Sequence, residues 1–396
     1  MKSIFILGAS MLQVPAILKA KEKGLYVYVL DYDKNAIGIK YADKFLEIST
    51  IDKEAVYEAA LLFKPDYIMT STSDMPVRTV SWVCEKLGRD TDISYIDAIC
   101  ATDKVAMRNR MKVCGVPIPV FYEVDNVDEF LSISEKMPDR YIIKPADNAA
   151  SRGVVLVDKN KNENLIEIYN YCKEYSRSGA VLVEEFMDGD EVSVEAYSIN
   201  GEPHIITITD KMVTSLPYFV ELGHTEPSRL PAPLQKEICK VAESAIRAIG
   251  MKNGPTHTEL KITSNGVKLV EIAARLGGDF ITSKLVPLST GVDMIECSFA
   301  SILEYNIPYE KKISKGAAIR FIQAETGILE SVDGIDEVRK LNGVEEIRIY
   351  KNIGDHVRRP QNSSDRIGHI ITVGESADEA ESIAEKALKM IHIRCI

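Results

Sequence analysis

Glu259 and Glu271 stand twelve residues apart, in Thr256-His257-Thr258-Glu259-Leu260-Lys261-Ile262-Thr263 and Val267-Lys268-Leu269-Val270-Glu271-Ile272. Both flanks alternate and are rich in β-branched residues, and Asn265-Gly266 between them is a hairpin signal. A three-residue loop over 264–266 sets Thr263 opposite Val267 and, carried along the ladder, Glu259 opposite Glu271. A two-residue loop would turn the two carboxylates to opposite faces, because one step of register flips every side chain. Facing each other across a strand pair at about 5 Å, at an effective dielectric near 20, they repel by about 3 kcal/mol. A divalent cation removes that penalty, and carboxylates among other oxygen ligands are how Mg²⁺ is held beside phosphates. The alternative is a solvated strand pair screened by Lys261 and Lys268. Next along the chain comes Ala273-Ala274-Arg275-Leu276-Gly277-Gly278-Asp279. Arg275 supplies a permanently charged fork for phosphate or carboxylate, and the glycines let the backbone approach a ligand.

The chain that must position these residues has 396 residues, 45% hydrophobic and 27% charged, enough for two or three domains with substantial cores. Its net charge of −11 argues against a nucleic-acid partner. Seven cysteines (84, 100, 114, 172, 239, 297, 395) form no CxxC pair and no zinc-like cluster, and the N-terminus starts a strand at once, without a secretory pattern. These features lead us to expect reduced thiols and a cytoplasmic protein, with no membrane span. A strand over Ser3–Leu7, a turn at Gly8, a helix over about 12–23 and a strand from Tyr26 ending at Asp31 open a doubly wound parallel sheet. A dinucleotide fingerprint is not met: of its three glycines only Gly8 is present, with Ser10 and Gln13 in the other positions. A third strand, Asp66–Thr70, ends in the polar turn Thr70-Ser71-Thr72-Ser73-Asp74. Strands over Arg140–Pro145, Val154–Val157 and Ala180–Glu185, with a helix over about 162–175, form a small α+β unit. The segment Glu191–Ile199 alternates as a strand. Thr209–Pro233 reads as a long irregular stretch, of the kind that often carries function. Strands over 316–323, 344–350 and 366–374 and a helix over 376–391, N-capped by Ser376, close the chain.

Taken in order, these segments resemble the ATP-grasp superfamily. The resemblance rests on Asp103-Lys104-Val105-Ala106-Met107-Arg108; on Tyr141-Ile142-Ile143-Lys144-Pro145 with the loop to Gly153; on Val183-Glu184-Glu185-Phe186-Met187-Asp188-Gly189-Asp190-Glu191-Val192-Ser193-Val194; and on the Glu259/Glu271 hairpin with Arg275. Within the superfamily the chain is most similar to bacterial L-amino-acid ligases, through Phe219-Val220-Glu221-Leu222-Gly223-His224-Thr225-Glu226-Pro227 and Arg275-Leu276-Gly277-Gly278. The implied architecture is α/β and α+β. It has an N-terminal doubly wound parallel-sheet domain (1–103), a two-lobed ATP-grasp core (104–308, small lobe about 118–186) and a C-terminal strand-rich α+β module (309–396).

The resemblance also implies roles. Lys104 and Lys144 would contact ATP phosphates, with Ser151 and Gly153 in the loop that closes over them. Glu184 would accept from the adenine amino group, the backbone at Phe186 and Met187 would read the ring edge, and Glu191 would take the ribose hydroxyls. Glu259 and Glu271 would bind Mg²⁺, with Mn²⁺ as a substitute. Ala273 stands where the superfamily often has a further Asn ligand. Arg275, assisted by Lys211, would stabilise the transferring phosphoryl group. Glu221 would hold an α-ammonium group, and His224, Gly278 and Asp279 would line the substrate pocket. An acid at 279 would favour a polar or cationic side chain, unless it merely caps the helix that follows. The implied reaction is ATP-dependent C–N bond formation: an amino-acid carboxylate becomes an acyl-phosphate and an amine, from a second amino acid, displaces phosphate. The alternative within the superfamily is a carboxylase or carbamoyl-phosphate-type enzyme using bicarbonate. The partners implied are small molecules and a second copy in a homodimer.

Overall fold

The structure, a computed structural model, describes residues 1–147, 153–161, 163–214 and 220–396. Four strands, β1 (Ser3–Leu7), β2 (Tyr26–Asp31), β3 (Lys44–Glu47) and β4 (Tyr67–Met69), form an all-parallel sheet in the order β3-β2-β1-β4. Helices cover both faces, so the central strands are continuous apolar runs: Ile4, Phe5, Ile6 and Leu7 are all fully buried. Asp31, at the end of β2, accepts from the Ala9 and Asp33 N–H groups at 2.8 and 3.0 Å. Gln13 donates to Thr72 and Ser73 at 2.9 and 2.8 Å, fixing the polar turn after β4. Where a dinucleotide fold would leave glycine and a free acid, this chain has structural hydrogen bonds.

A second sheet, β5 (Phe121–Val124), β6 (Arg140–Pro145), β7 (Val155–Asp158) and β8 (Val181–Glu185), is antiparallel in the order β5-β8-β6-β7. Helices Val127–Lys136 and Leu165–Glu174 pack on it around Phe130, Tyr141 and Tyr169. Phe130 and Tyr169 stack at 5.6 Å, and burying each ring contributes about 2 kcal/mol.

The third sheet is the frame of the molecule. Its eight strands run in the order β13-β12-β9-β10-β11-β14-β18-β16, built from β9 (Glu191–Ile199), β10 (Glu202–Val213), β11 (Glu221–Glu226), β12 (Gly254–Thr263), β13 (Gly266–Ala273), β14 (Gly316–Ile322), β16 (Val344–Ile349) and β18 (Gly368–Gly374). A small sheet of β15 (Gly327–Asp333), β17 (His356–Val357) and β19 (His392–Cys395) closes the C-terminal end. The helix Ala377–Met390 is capped by Ser376, which accepts from the Glu379 N–H at 3.2 Å. Strands from the C-terminal segment thus continue the sheet that carries the Glu259/Glu271 hairpin. One expectation is corrected. Residues 209–213 and 221–226 are not an irregular stretch but the paired ends of β10 and β11. Their apolar–polar alternation runs across buried polar residues (Thr209, Lys211, His224), which masks the strand signal in sequence.

In β9 the apolar set Val192, Val194 and Ala196 packs against the helix Ala232–Ala248 with Leu260, Leu269 and Ile272. The alternate set, Ser193 and Glu195, is fully buried as well. A sheet face that is polar yet shielded from water is costly unless its groups are paired; Glu195 is paired through one oxygen with His257, while Ser193 Oγ has no partner among the described residues.

Glu226, at the end of β11, is fully buried and accepts from Ser289 Oγ and Thr209 Oγ1, both at 2.9 Å. Burial pushes its carboxyl up to about 8, against those two hydrogen bonds. The folded state therefore holds a proton that the unfolded chain releases above about 4.5. Across that window stability falls as pH rises. Glu226→Gln mimics the protonated acid, offering the two hydroxyls one carbonyl acceptor and one N–H donor, and removes the titration. Urea denaturation should show the wild type losing roughly 3 kcal/mol more than the variant between about pH 5 and 8. Parallel pH profiles would contradict the assignment.

Candidate active site

The β12–β13 hairpin sets the two glutamates opposite each other, Glu259 against Glu271, by a route other than the one expected. The turn has two residues, Ser264 and Asn265, with Thr263 opposite Gly266, whose φ is +98°. That register alone would send the carboxylates to opposite faces. A β-bulge between Leu260–Leu269 and Glu259–Glu271 inserts Val270 and reverses the phase. Leu269 and Ile272 consequently face the helix Ala232–Ala248, while Glu271 faces the other way.

The carbonyl of the bulged Val270 accepts from Arg108 Nη2 at 2.7 Å. Arg108, with no exposed surface, also donates Nε and Nη2 to Glu184 at 2.6 and 3.3 Å, and Lys144 Nζ lies 2.6 Å from the same carboxylate. Burial would raise Glu184, but Arg108 and Lys144 outweigh it and hold it down at about 2. Lys144 goes below the ordinary lysine range: burial, Arg108 and Lys104 together exceed the pull of its single anion, Glu184. Two cations against one carboxylate leave this buried corner net positive, a place where an anion such as phosphate is stabilised. Glu185 points the other way, toward Lys268 at 3.0 Å. Lys104, first residue of the helix Lys104–Val113, reaches Glu271 Oε1 at 2.8 Å.

Lys211, almost fully buried on β10, lies 2.5 Å from Glu191, 2.7 Å from Glu259 and 3.8 Å from Glu221. Burial would lower its pKa, yet Glu191, Glu259 and Glu221 carry it well above the usual value. Glu259 is held well below the carboxylate range in spite of its burial, by Lys211 and His257. Behind Glu259, His257 Nδ1 lies 2.5 Å from Glu195 and Nε2 3.4 Å from Glu259. Burial opposes protonation of His257, but Glu195 and Glu259 raise it to about 9. Arg275 donates Nε to Asp74 of the N-terminal polar turn at 2.6 Å and Nη1 to the Leu276 carbonyl at 2.9 Å.

At the far end, Glu221 accepts from Ser363 Oγ at 3.2 Å, and Asp279 is gripped by Arg366. His224 lies 3.6 Å from Asp279. Asp279 caps no helix: the short helix Ile281–Leu285 that follows has Phe280 in the N-cap position and no side-chain cap. Phe186 lies under Arg140, 4.4 Å from guanidinium to ring centroid, and Met187 follows it at the end of β8. Gly153 has φ +76°, and an added Cβ there would sit 2.8 Å from Pro145 and Tyr175. Ser151 lies outside the described residues.

The structure therefore brings Lys104, Lys144, Glu184, Glu191, Lys211, Glu221, His224, Glu259, Glu271, Arg275 and Asp279 into one contiguous charged cluster. Sequence reasoning missed Arg108, Glu195, His257, Asp74 and Arg366 as members. Arg108 had a signal, four residues after Lys104 on one helix face, and Glu195 and His257 share strand faces with Glu191 and Glu259. For Asp74 and Arg366 the chain offers none.

Two carboxylates with no soft ligand between them suit Mg²⁺ completed by phosphate and water oxygens. Among the described residues no third His, Cys, Asp or Glu joins them, and Ala273 is buried opposite His257.

Residues 137–283 match the ATP-grasp domain family, and residues 320–395 match L-amino acid ligase C-terminal domain 2. The middle of the chain is thus an ATP-grasp domain, followed by a C-terminal domain of the L-amino acid ligase type. The relatives that it matches are named as ligases. It is 28% identical over 247 residues to alanine–anticapsin ligase of Bacillus subtilis, a match covering 57% of this chain and 51% of that one. It is 23% identical over 339 residues to an L-arginine-specific L-amino acid ligase of Bacillus subtilis, covering 84% and 81%. The crystal structure of an L-amino acid ligase from Bacillus licheniformis superposes with a TM-score of 0.85 at 22% identity, covering 100% of this chain and 99% of that one.

Three substitutions test the framework. Arg108→Met leaves the Val270 carbonyl unpaired and Glu184 with one cation, and should cost about 3–5 kcal/mol in denaturant unfolding. A Cβ on Gly277 would sit 2.8 Å from both Glu195 Oε2 and His257 Nδ1, whereas one on Gly278 would meet nothing within 4 Å. Gly277→Ala should therefore destabilise by about 1–3 kcal/mol, and Gly278→Ala should leave the unfolding midpoint unchanged.

Proposed function

We propose that this protein joins an amino-acid carboxylate to the amine of a second amino acid, with ATP converted to ADP and phosphate. The observation that carries this reading is Lys211, on which three carboxylates distant in sequence converge: Glu191 on the nucleotide side, Glu259 of the carboxylate pair and Glu221 on the substrate side. A nucleotide, its terminal phosphates and an ammonium-bearing acid would then lie along one row.

In this reading Lys144 and Lys104 bind the phosphates, with Arg108 holding the corner together, and Glu184, Phe186, Met187 and Glu191 receive the nucleoside. Glu259 and Glu271 would hold Mg²⁺, which would neutralise charge on the phosphates. Glu221 fixes the α-ammonium group, so that a carboxylate oxygen of the acid is aimed at the γ-phosphorus. That oxygen attacks, the bond to the ADP oxygen breaks, and Arg275 stabilises charge on the transferred phosphoryl group. The amine nitrogen of the second substrate then attacks the acyl carbon, phosphate leaves with its electron pair, and the nitrogen gives up a proton. Closure of the 118–186 lobe over the nucleotide excludes water that would otherwise hydrolyse the acyl-phosphate. A cytoplasmic homodimer with division at about residues 103 and 308 completes the proposal.

The test is phosphate release from ATP and Mg²⁺ against single amino acids, pairs and bicarbonate. Release that requires a pair, with ADP and a new amide mass, is the expected result, and Glu271→Gln should lower the rate by about 10²-fold or more. Release with bicarbonate alone would move the protein to the carboxylases.

A further inference from the structure

The substrate end of the row is closed by residues from the C-terminal segment, and they change what Asp279 can do. Asp279 and Phe280 both have left-handed backbones, φ 49° and 63°. The turn they form delivers the Asp279 carboxylate to Arg366, which donates Nη1 and Nη2 to its two oxygens at 2.6 and 2.7 Å. The same guanidinium donates Nε to the Ser363 carbonyl at 2.9 Å and lies 3.7 Å from the Phe321 ring centroid. Nη1 also approaches the Glu221 carbonyl at 3.5 Å. Arg366 is 8% exposed and is held on every side. A bidentate pair of this kind uses both the charge and the directional lone pairs of the acid.

Beside this pair stand His224 and Gly278. His224 is 1% exposed, and neither ring nitrogen has a hydrogen-bond partner among the described residues. Gly278 faces open space. The imidazole lies 3.6 Å from Asp279, outside hydrogen-bond reach, so its ring nitrogens remain able to engage a polar group of a ligand.

An acid at 279, taken alone, favours a cationic side chain. The pair reverses that expectation. We infer that Arg366 is a specificity-determining residue: by neutralising Asp279 it makes the pocket one for an amino acid with an uncharged side chain and turns away lysine and arginine. A cationic side chain entering here would lose water beside a fixed guanidinium and gain no free anion. An acidic one would find the Arg366 donors already engaged. This inference rests on the ligase reading of the site.

The test is calorimetric titration of alanine, methionine, lysine, arginine and glutamate into the full chain saturated with Mg²⁺ and a non-hydrolysable ATP analogue, with amide formation from ATP assayed in parallel. The wild type should bind the uncharged amino acids roughly tenfold or more tighter than lysine and arginine. Arg366→Met frees Asp279 and should raise lysine and arginine affinity by about tenfold, while Asp279→Asn frees Arg366 and should do the same for glutamate. Circular dichroism confirms folding; if Arg366→Met does not fold, the wild-type ranking and Asp279→Asn decide. Wild-type binding of lysine or arginine as tight as that of alanine or methionine, an unchanged ranking in folded variants, or no amino-acid binding would overturn the inference. Amide formation from lysine would sink it while leaving the ligase reading intact. The expected ranking without any amide product would sink the ligase reading and leave the pocket assignment standing.

Discussion

A guanidinium with no access to water must find its partners inside the protein, and Arg108 ties its own helix to two other parts of the chain. Its helix follows the N-terminal domain, Glu184 ends a strand of the small lobe, and Val270 is the extra residue of the bulged hairpin. Removing any one partner leaves charge or a carbonyl unsatisfied in a dry interior, where such groups cost far more than in solvent. The position of the small lobe and the phase of the hairpin are thereby tied to one side chain. Burial, with Arg108 and Lys104 nearby, lowers the pKa of Lys144, so the net-positive corner and the hairpin that presents two carboxylates are parts of a single electrostatic arrangement.

Around that corner the polar face of the large sheet works as a relay of compensations. Lys211 satisfies Glu191 and Glu259, His257 lies between Glu259 and Glu195, and Lys104 answers Glu271. Each carboxylate that would receive a cation or a ligand is meanwhile matched by a protonated side chain. Such a site is stable without its ligands, because the pairs already offset the desolvation of burying so many charges. It is also ready to exchange partners, because an incoming phosphate or cation replaces one ion pair by another and exposes no bare charge.

Much of this was legible in the chain. Period-two alternation in Glu191–Ile199 and in the two hairpin arms marks both the strands and the residues they aim at one face. The run ending at Lys144-Pro145 and the Glu184-Glu185 pair mark the small lobe. Other features were not legible, for physical reasons. Thr209, Lys211 and His224 are buried polar residues in strands, and hydropathy treats them as loop. The Val270 bulge leaves no composition signature, so the carboxylate pairing was reached with the wrong turn length. Asp74 and Arg366 meet Arg275 and Asp279 only through tertiary closure over long sequence separations, which local periodicity cannot report. Among the described residues no single helix is long and apolar enough to cross a membrane.

The hairpin carries a lesson of its own. Its turn is one residue shorter than the alternation requires, and its bulge is one residue longer, so the two behave like a frameshift and its suppressor. Either change alone would scramble inward and outward faces along the remainder of β13, and together they are silent. Turn and bulge therefore form one heritable unit. Relatives built on the same sheet can exchange this hairpin only as a whole, and a chimera that takes the loop from one parent and the returning strand from another would fold its carboxylate into the helix-facing core.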